Sequence, residues 1–143
     1  MASTPGGVET GPVVEGAVAR LGACLRERDV TAALGCFVSD GALYGDDVGE
    51  HAHGAEEMEW FFAELFEEDF TLAWEVQETW ARHRGDLVWF VCGAQVVVRS
   101  DEGWEDRAPF QVSGVLRATG AGWRFELFNA SQPARRTGTL LAG

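Results

Sequence analysis

The sequence predicts an α+β domain, and three observations point to it. In three segments of the first half, apolar residues recur at three- and four-residue steps, the spacing of amphipathic helices. Beyond residue 69 the spacing changes to two, the signature of strands. The run LVWFVCGAQVVV at residues 87–98 is apolar at consecutive positions, as in a central strand covered on both faces. Helices followed by long strands favour antiparallel pairing over helix–strand alternation. A chain of 143 residues fits one domain, large enough to bury about two-thirds of its unfolded surface.

The elements follow in order. Residues 1–11 are rich in Gly and Pro and are expected to be mobile. The domain itself is expected over residues 12–133. From Pro12 the positions Val14, Ala17, Leu21, Cys24 and Leu25 make one apolar stripe, with Glu15, Arg20 and Arg26 opposite. Asp29 is placed to cap a second, short helix reaching Phe37. Residues 42–46 read as a short strand and residues 46–54 as a polar loop. A third helix is expected over residues 55–66, with Met58, Phe61, Phe62, Leu65 and Phe66 apolar.

In the strand region, Leu72, Trp74, Val76, Glu78 and Trp80 fall on one face by alternation. Residues 83–86 turn into the apolar run at 87–98, residues 100–103 turn again, and long strands are expected over 104–118 and 123–131. The tail at 134–143 has little to bury and is expected to be mobile.

Composition narrows the function. The apolar fraction of 46% and charged fraction of 24% are those of a globular protein. The 23 acidic residues against 11 basic ones give a net charge of −12, which repels nucleic acid and anionic membranes. Lys and Ile are absent, a bias expected of a GC-rich genome. Residues 1–11 show neither a basic start nor an apolar run of signal-peptide type. Cys24, Cys36 and Cys92 are an odd number without a C-x-x-C pair, so they are expected to be isolated core thiols of a cytoplasmic protein. No P-loop, G-x-G-x-x-G or G-x-S-x-G pattern occurs.

Four motifs in a fixed order carry a resemblance. They are RERDVTAALGCFVSDGALYGDD, the G-x-x-x-x-G of Gly49 and Gly54 opening the third helix, GDLVWF from Gly85, and GWRFELFNASQP from Gly122. On these residues the chain resembles the nuclear-transport-factor-two-like superfamily, and within it the SnoaL-like group that includes polyketide cyclases. The resemblance implies a cone-shaped, curved, mostly antiparallel sheet, with the three helices of the N-terminal half enclosing a pocket. It also implies a homodimer joined through the outer sheet face. Laying the early motif of ketosteroid isomerases on residues 18–46 puts their oxyanion-hole Tyr on Leu21 and their general-base Asp on Gly45. Their second oxyanion acid falls near Ser113 or Gly114, so two of three roles lack a suitable side chain and steroid isomerisation is not expected.

Several residues are candidates for chemistry. Glu78 interrupts an apolar strand face, where lost hydration would raise its pKa toward that of an acid–base catalyst; alternatively it is a rim residue, solvated or paired with Arg82 or Arg117. Asp46 and Asp47 close the first strand, where the superfamily often keeps a carboxylate at the pocket mouth. Adjacent residues of an extended chain point opposite ways, and Asp46 is favoured. Tyr44, the one Tyr, could donate to a ligand or fill the core. Glu50, His51 and His53 could clip a metal, but without a second ligand cluster no metal is expected; His53 is kept as a rim contact. Asn129 and Ser131 are expected to end the apolar face of Trp123, Phe125 and Leu127 at the pocket opening. Trp60, Trp74 and Trp80 could stack on a planar ligand, although Trp more often fills core.

Together these lead to cofactor-independent acid–base chemistry (cyclisation, isomerisation, dehydration or epoxide opening) on a small hydrophobic or aromatic molecule. Glu78 and Asp46 are the expected catalytic pair. The alternative is a non-catalytic ligand-binding or dimeric interaction module of the same fold, with no nucleic-acid or membrane partner in either case.

Overall fold

The computed structural model describes residues 9–46 and 49–133. Helix α1 (Thr10–Glu27) leads to α2 (Val30–Leu34), β1 (Phe37–Tyr44), β2 (His51–His53) and α3 (Gly54–Leu65). Four long strands follow: β3 (Phe70–Arg84), β4 (Leu87–Ser100), β5 (Glu105–Thr119) and β6 (Gly122–Ser131). The expected α+β class holds. The six strands form one curved, unclosed sheet in the order β2-β1-β6-β5-β4-β3, antiparallel throughout except for the parallel pair β1 and β6. The tail expected at 134–143, and residues 1–8 of the expected N-terminal segment, lie outside the described residues.

Local chemistry sets the helix ends. Helix α1 starts at Thr10, two residues before the expected Pro12, and Pro12 sits in the first turn, where its missing N–H costs no intrahelical bond. Arg28, at φ 55°, ends α1 by donating its backbone N–H to the carbonyls of Cys24 and Leu25. Asp29 caps α2 as expected, its Oδ1 accepting from the Ala32 N–H at 3.0 Å. Two differences follow from weak patterning. The strand expected at 42–46 begins at Phe37, hidden by the polar Ser39 and Asp40, and the expected polar loop contains β2.

The core lies between the inner sheet face and the helices, with Phe62, Phe90, Phe125, Phe128 and Leu21 fully buried. Helix α1 comes down closely on β3: a Cβ at Gly22 would stand 3.1 Å from the Cβ of Ala73.

The β1–β6 register shifts between Phe37 and Ala42, and two bulges shape the long strands. The β3–β4 register shifts between Val76 and Glu78, leaving Gln77 as an extra residue. The β5–β6 register shifts between Val115 and Leu116, leaving Glu126 extra between Phe125 and Leu127. A bulge bends its strand and strengthens its twist; one extra residue also moves every later side chain to the opposite face. Beyond Gln77, therefore, Thr79 and Ala81 follow Leu72, Trp74 and Val76 on the inner face, opposite Cys92 and Phe90. Beyond Glu126, Phe128 and Ala130 follow Phe125.

Gly114 lies beside the second bulge, where β6 passes so close that a Cβ would stand 2.1 Å from the Leu127 carbonyl oxygen. Gly114→Ala must displace the β6 backbone and is expected to lower stability by about 2–3 kcal/mol. Chemical denaturation measures this, and an unchanged midpoint would contradict the close approach.

Candidate functional site

A cavity of about 120 Å³ lies between α1, α3 and the inner sheet face. Leu21, Phe62, Leu65, Leu72, Phe110 and Phe128 contribute to its apolar wall. Trp74 completes that wall, its indole packed on Phe128 with ring centroids 5.1 Å apart. The indole Nε1 is buried and has no hydrogen-bond partner among the described residues. Among those residues no charged side chain is buried, so the acidic lining residues, Asp46 and Glu50, belong to the solvent rim.

Asp46 is exposed just past the end of β1, and its Oδ1 accepts the Gln132 backbone N–H at 3.0 Å. One oxygen is thereby anchored; the other makes no hydrogen bond among the described residues. Asp47, the other carboxylate weighed from the sequence, lies outside the described residues. The chain turns back through a Gly45 N–H to Glu50 carbonyl bond of 2.7 Å, which brings Glu50 to the same rim.

Glu78 requires correction. The bulge at Gln77 turns it to the outer face, opposite Gly93, where its side chain is exposed and lies over the glycine. It does not share a face with Trp74 or meet the cavity. Trp80 turns outward with it, 48% exposed beneath the Arg82 guanidinium, which stands 4.7 Å from the ring centroid. Arg117 pairs instead with Asp86 and Glu126. The bulge at Glu126 has the same consequence for Asn129 and Ser131: Asn129 lies on the outer face, its Nδ2 3.4 Å from Ser113 Oγ, and is separated from the inward Phe125. Trp60 is 68% exposed on α3, beside Glu56, Glu59 and Glu64 and away from the cavity.

Tyr44 borders the cavity, but its hydroxyl is hydrogen-bonded to His53 Nε2 at 2.7 Å and its ring stacks on His51. The two imidazoles are 5.4 Å apart between centroids, and among the described residues no group of three metal-type ligands converges. One transverse row of cross-strand partners thus crosses the outer face: His51, Tyr44, Asn129, Ser113, Val91 and Trp80.

Of the eight residues picked from the sequence, the structure therefore brings Asp46 and Trp74 to one cavity with Tyr44 at its edge, and pairs Tyr44 with His53. Glu78, Trp60, Trp80 and Asn129 are elsewhere. Phe110 and Phe128 were not singled out; Phe110 sits between Pro109 and Gln111, where alternation did not say which side was inner.

The fold and the matched sequence fix the family. The family description that matches is a SnoaL-like domain, over residues 14–135, and the chain belongs to that family. It is similar in structure to a ketosteroid isomerase-like protein from Erwinia carotovora atroseptica, at 21% identity and a TM-score of 0.67, over 89% of this chain and 98% of that one. It is also similar to a protein of unknown function with a cystatin-like fold from Nostoc punctiforme, at 20% identity and a TM-score of 0.68 over 100% of both chains. A nuclear transport factor 2-like superfamily protein from Salmonella enterica matches at 13% identity and a TM-score of 0.71, over 89% and 93%. At these identities the likeness is one of fold. No curated protein matches the chain. The family is one of small-molecule-binding folds, and no helix among the described residues is long and apolar enough to cross a membrane.

The cysteines differ from the isolated thiols expected. Cys92 is alone in the core, but Cys24 of α1, beside the cavity residue Leu25, has its sulfur 4.0 Å from that of Cys36. Burial first, and the Cys36 thiol second, push Cys24 from an ordinary 9.0 to about 11. Near neutral pH it should carry about 100-fold less thiolate, the reactive form, than an ordinary thiol. Iodoacetamide should therefore modify native Cys24 slowly at pH 8 and faster as pH approaches 11, as peptide mapping would show; labelling at a free-thiol rate would contradict the burial.

Proposed function

We propose that this chain binds a small, largely apolar molecule in the cone and performs acid–base chemistry on it at the rim, with Asp46 as the proton-transfer group. The supporting observation is the apolar cavity with its carboxylates confined to the mouth. A ligand seated there would keep its apolar part against Leu21, Phe62, Leu72 and Trp74. A reacting C–H or O–H at the mouth would meet the carboxylate of Asp46. An ionised carboxylate is acceptor-only, so Asp46 takes the proton and the apolar wall keeps competing water from the rest of the ligand. Cyclisation, isomerisation, dehydration and epoxide opening all require such a transfer, and side chains suffice for it without a cofactor. Glu78, Trp60, Trp80 and Asn129 have no part in this site. The free thiols support a cytoplasmic location.

The test is a panel of compact ketones, epoxides and phenols, read for binding by thermal shift and for conversion by mass spectrometry. Asp46→Asn is expected to lower conversion by about 10²-fold or more while leaving the thermal shift in place. Binding without any conversion across the panel would make the chain a ligand-binding module, and no binding at all would remove the pocket reading.

A homodimer joined through the outer sheet face is a second, compatible proposal. It is favoured by the exposure there of Trp80 at 48%, Tyr44 at 40% and Val91 at 39%, large apolar groups clustered as at interfaces. Trp80→Glu should convert a dimer into monomer in sedimentation experiments, with the fold retained by circular dichroism. A monomeric unmodified protein at about 100 μM, a concentration at which dimers of micromolar affinity persist, would contradict it.

A further inference from the structure

We infer that Cys24 and Cys36 are a redox-active dithiol, which a hydroperoxide converts to a disulfide that ties α1 to the start of β1. The two residues are 12 positions apart in the chain, yet their sulfurs lie 4.0 Å from each other. The turn between α1 and α2 brings them together. Arg28 ends α1 in the left-handed conformation, the Asp29 N–H donates back to the Cys24 carbonyl, and Cys36 follows α2 directly before β1. A disulfide holds its sulfurs about 2.05 Å apart, so the pair must close by about 2 Å, a movement that rotation of both side chains can share. Cys92 is placed differently, on β4 with its sulfur 3.6 Å from Thr79 Oγ1.

The two thiols differ in a way that orders the chemistry. Cys24 is partly exposed, whereas Cys36 is buried and donates its S–H to the Ala32 carbonyl at 3.6 Å. A peroxide arriving from solvent therefore meets Cys24. The Cys24 sulfur attacks the peroxide, the O–O bond breaks, and a sulfenic acid forms as the alcohol leaves, or water where the oxidant is hydrogen peroxide. The Cys36 sulfur then attacks the Cys24 sulfur, the S–O bond breaks and a water leaves. Two thiols are thereby oxidised and one peroxide is reduced. The attacking form is the thiolate, so the first step is slow near neutral pH, as alkylation of Cys24 is. The link bears on the cavity, because Leu21 and Leu25 at this end of α1 line it. The same end is also held by Arg28, paired with Asp101 at 2.9 Å, but an exposed ion pair contributes little.

Hydrogen peroxide added to the native protein in mildly alkaline buffer tests this, with the thiols read by non-reducing peptide mapping. The Cys24 and Cys36 peptides are expected to be joined and two hydrogens lighter than their sum, with Cys92 still a thiol and the link reversed by dithiothreitol. The oxidised protein is expected to unfold at a higher denaturant concentration than the reduced one, since the link restrains the unfolded chain. In Cys36→Ser, dimedone should trap sulfenic acid on Cys24 at least about tenfold more than in the native protein, the resolving thiol being gone. Cys36 is buried, so if that variant fails to fold, the map of the native protein decides. Cys24 carried on to sulfinic acid with Cys36 still a thiol, pairing of either with Cys92, or a lower unfolding midpoint after oxidation would each overturn the dithiol. So would intact native thiols at a peroxide dose that consumes those of the unfolded protein.

Discussion

The site depends on two extra residues in the sheet, Gln77 in β3 and Glu126 in β6. A strand keeps its side chains on fixed alternate faces only while the ladder runs without interruption. Each bulge breaks the alternation once and bends the sheet where it does so. The bends allow α1 and α3 to close over the inner face, and the inversions decide which residues they close over. Upstream of Gln77, Leu72 and Trp74 face the cavity; downstream, Glu78 and Trp80 face out. Downstream of Glu126, Phe128 and Ala130 reach the cavity while Asn129 is turned away from it. Gly114 allows the tightest of these approaches, because no side chain fits between β5 and the Leu127 carbonyl.

The resulting division of labour is chemical. Apolar groups fill the interior, among the described residues no charged side chain is buried there, and the carboxylates gather at the rim. Such a cavity holds a molecule by excluding water and orients it through very few polar groups, as ligand sites generally do. Here the polar group at the mouth is the carboxylate of Asp46, whose Oδ1 accepts the Gln132 N–H. The outer face has the opposite character, an open band of aromatic, hydroxyl and amide groups running from His51 to Trp80.

Much of the fold was legible in the sequence because it rests on patterns that single residues do not disturb. The helical stripe of α1, the cap at Asp29 and the doubly apolar run of β4 each follow from spacing or side-chain chemistry alone. The site was legible only in part. Trp74 could be found from position and type, since it precedes the bulge on β3, and Asp46 from its place just past the end of β1. Glu78 and Asn129 were misplaced for one physical reason: each lies just after an inserted residue. Nothing in WEVQETW or FELFNAS marks which residue the partner strand skips, because a bulge is defined by pairing between strands distant in sequence.

The cone holds an accessible apolar cavity walled by Trp74, with Glu78 outside it. Crystals of the protein pressurised with xenon test this directly, since xenon occupies apolar cavities and avoids polar ones. A xenon atom among Leu21, Phe62, Leu72 and Trp74, with Glu78 in solvent over Gly93, is the predicted result. No xenon in the cone, its space taken by the Phe61 and Phe110 rings, would contradict the account.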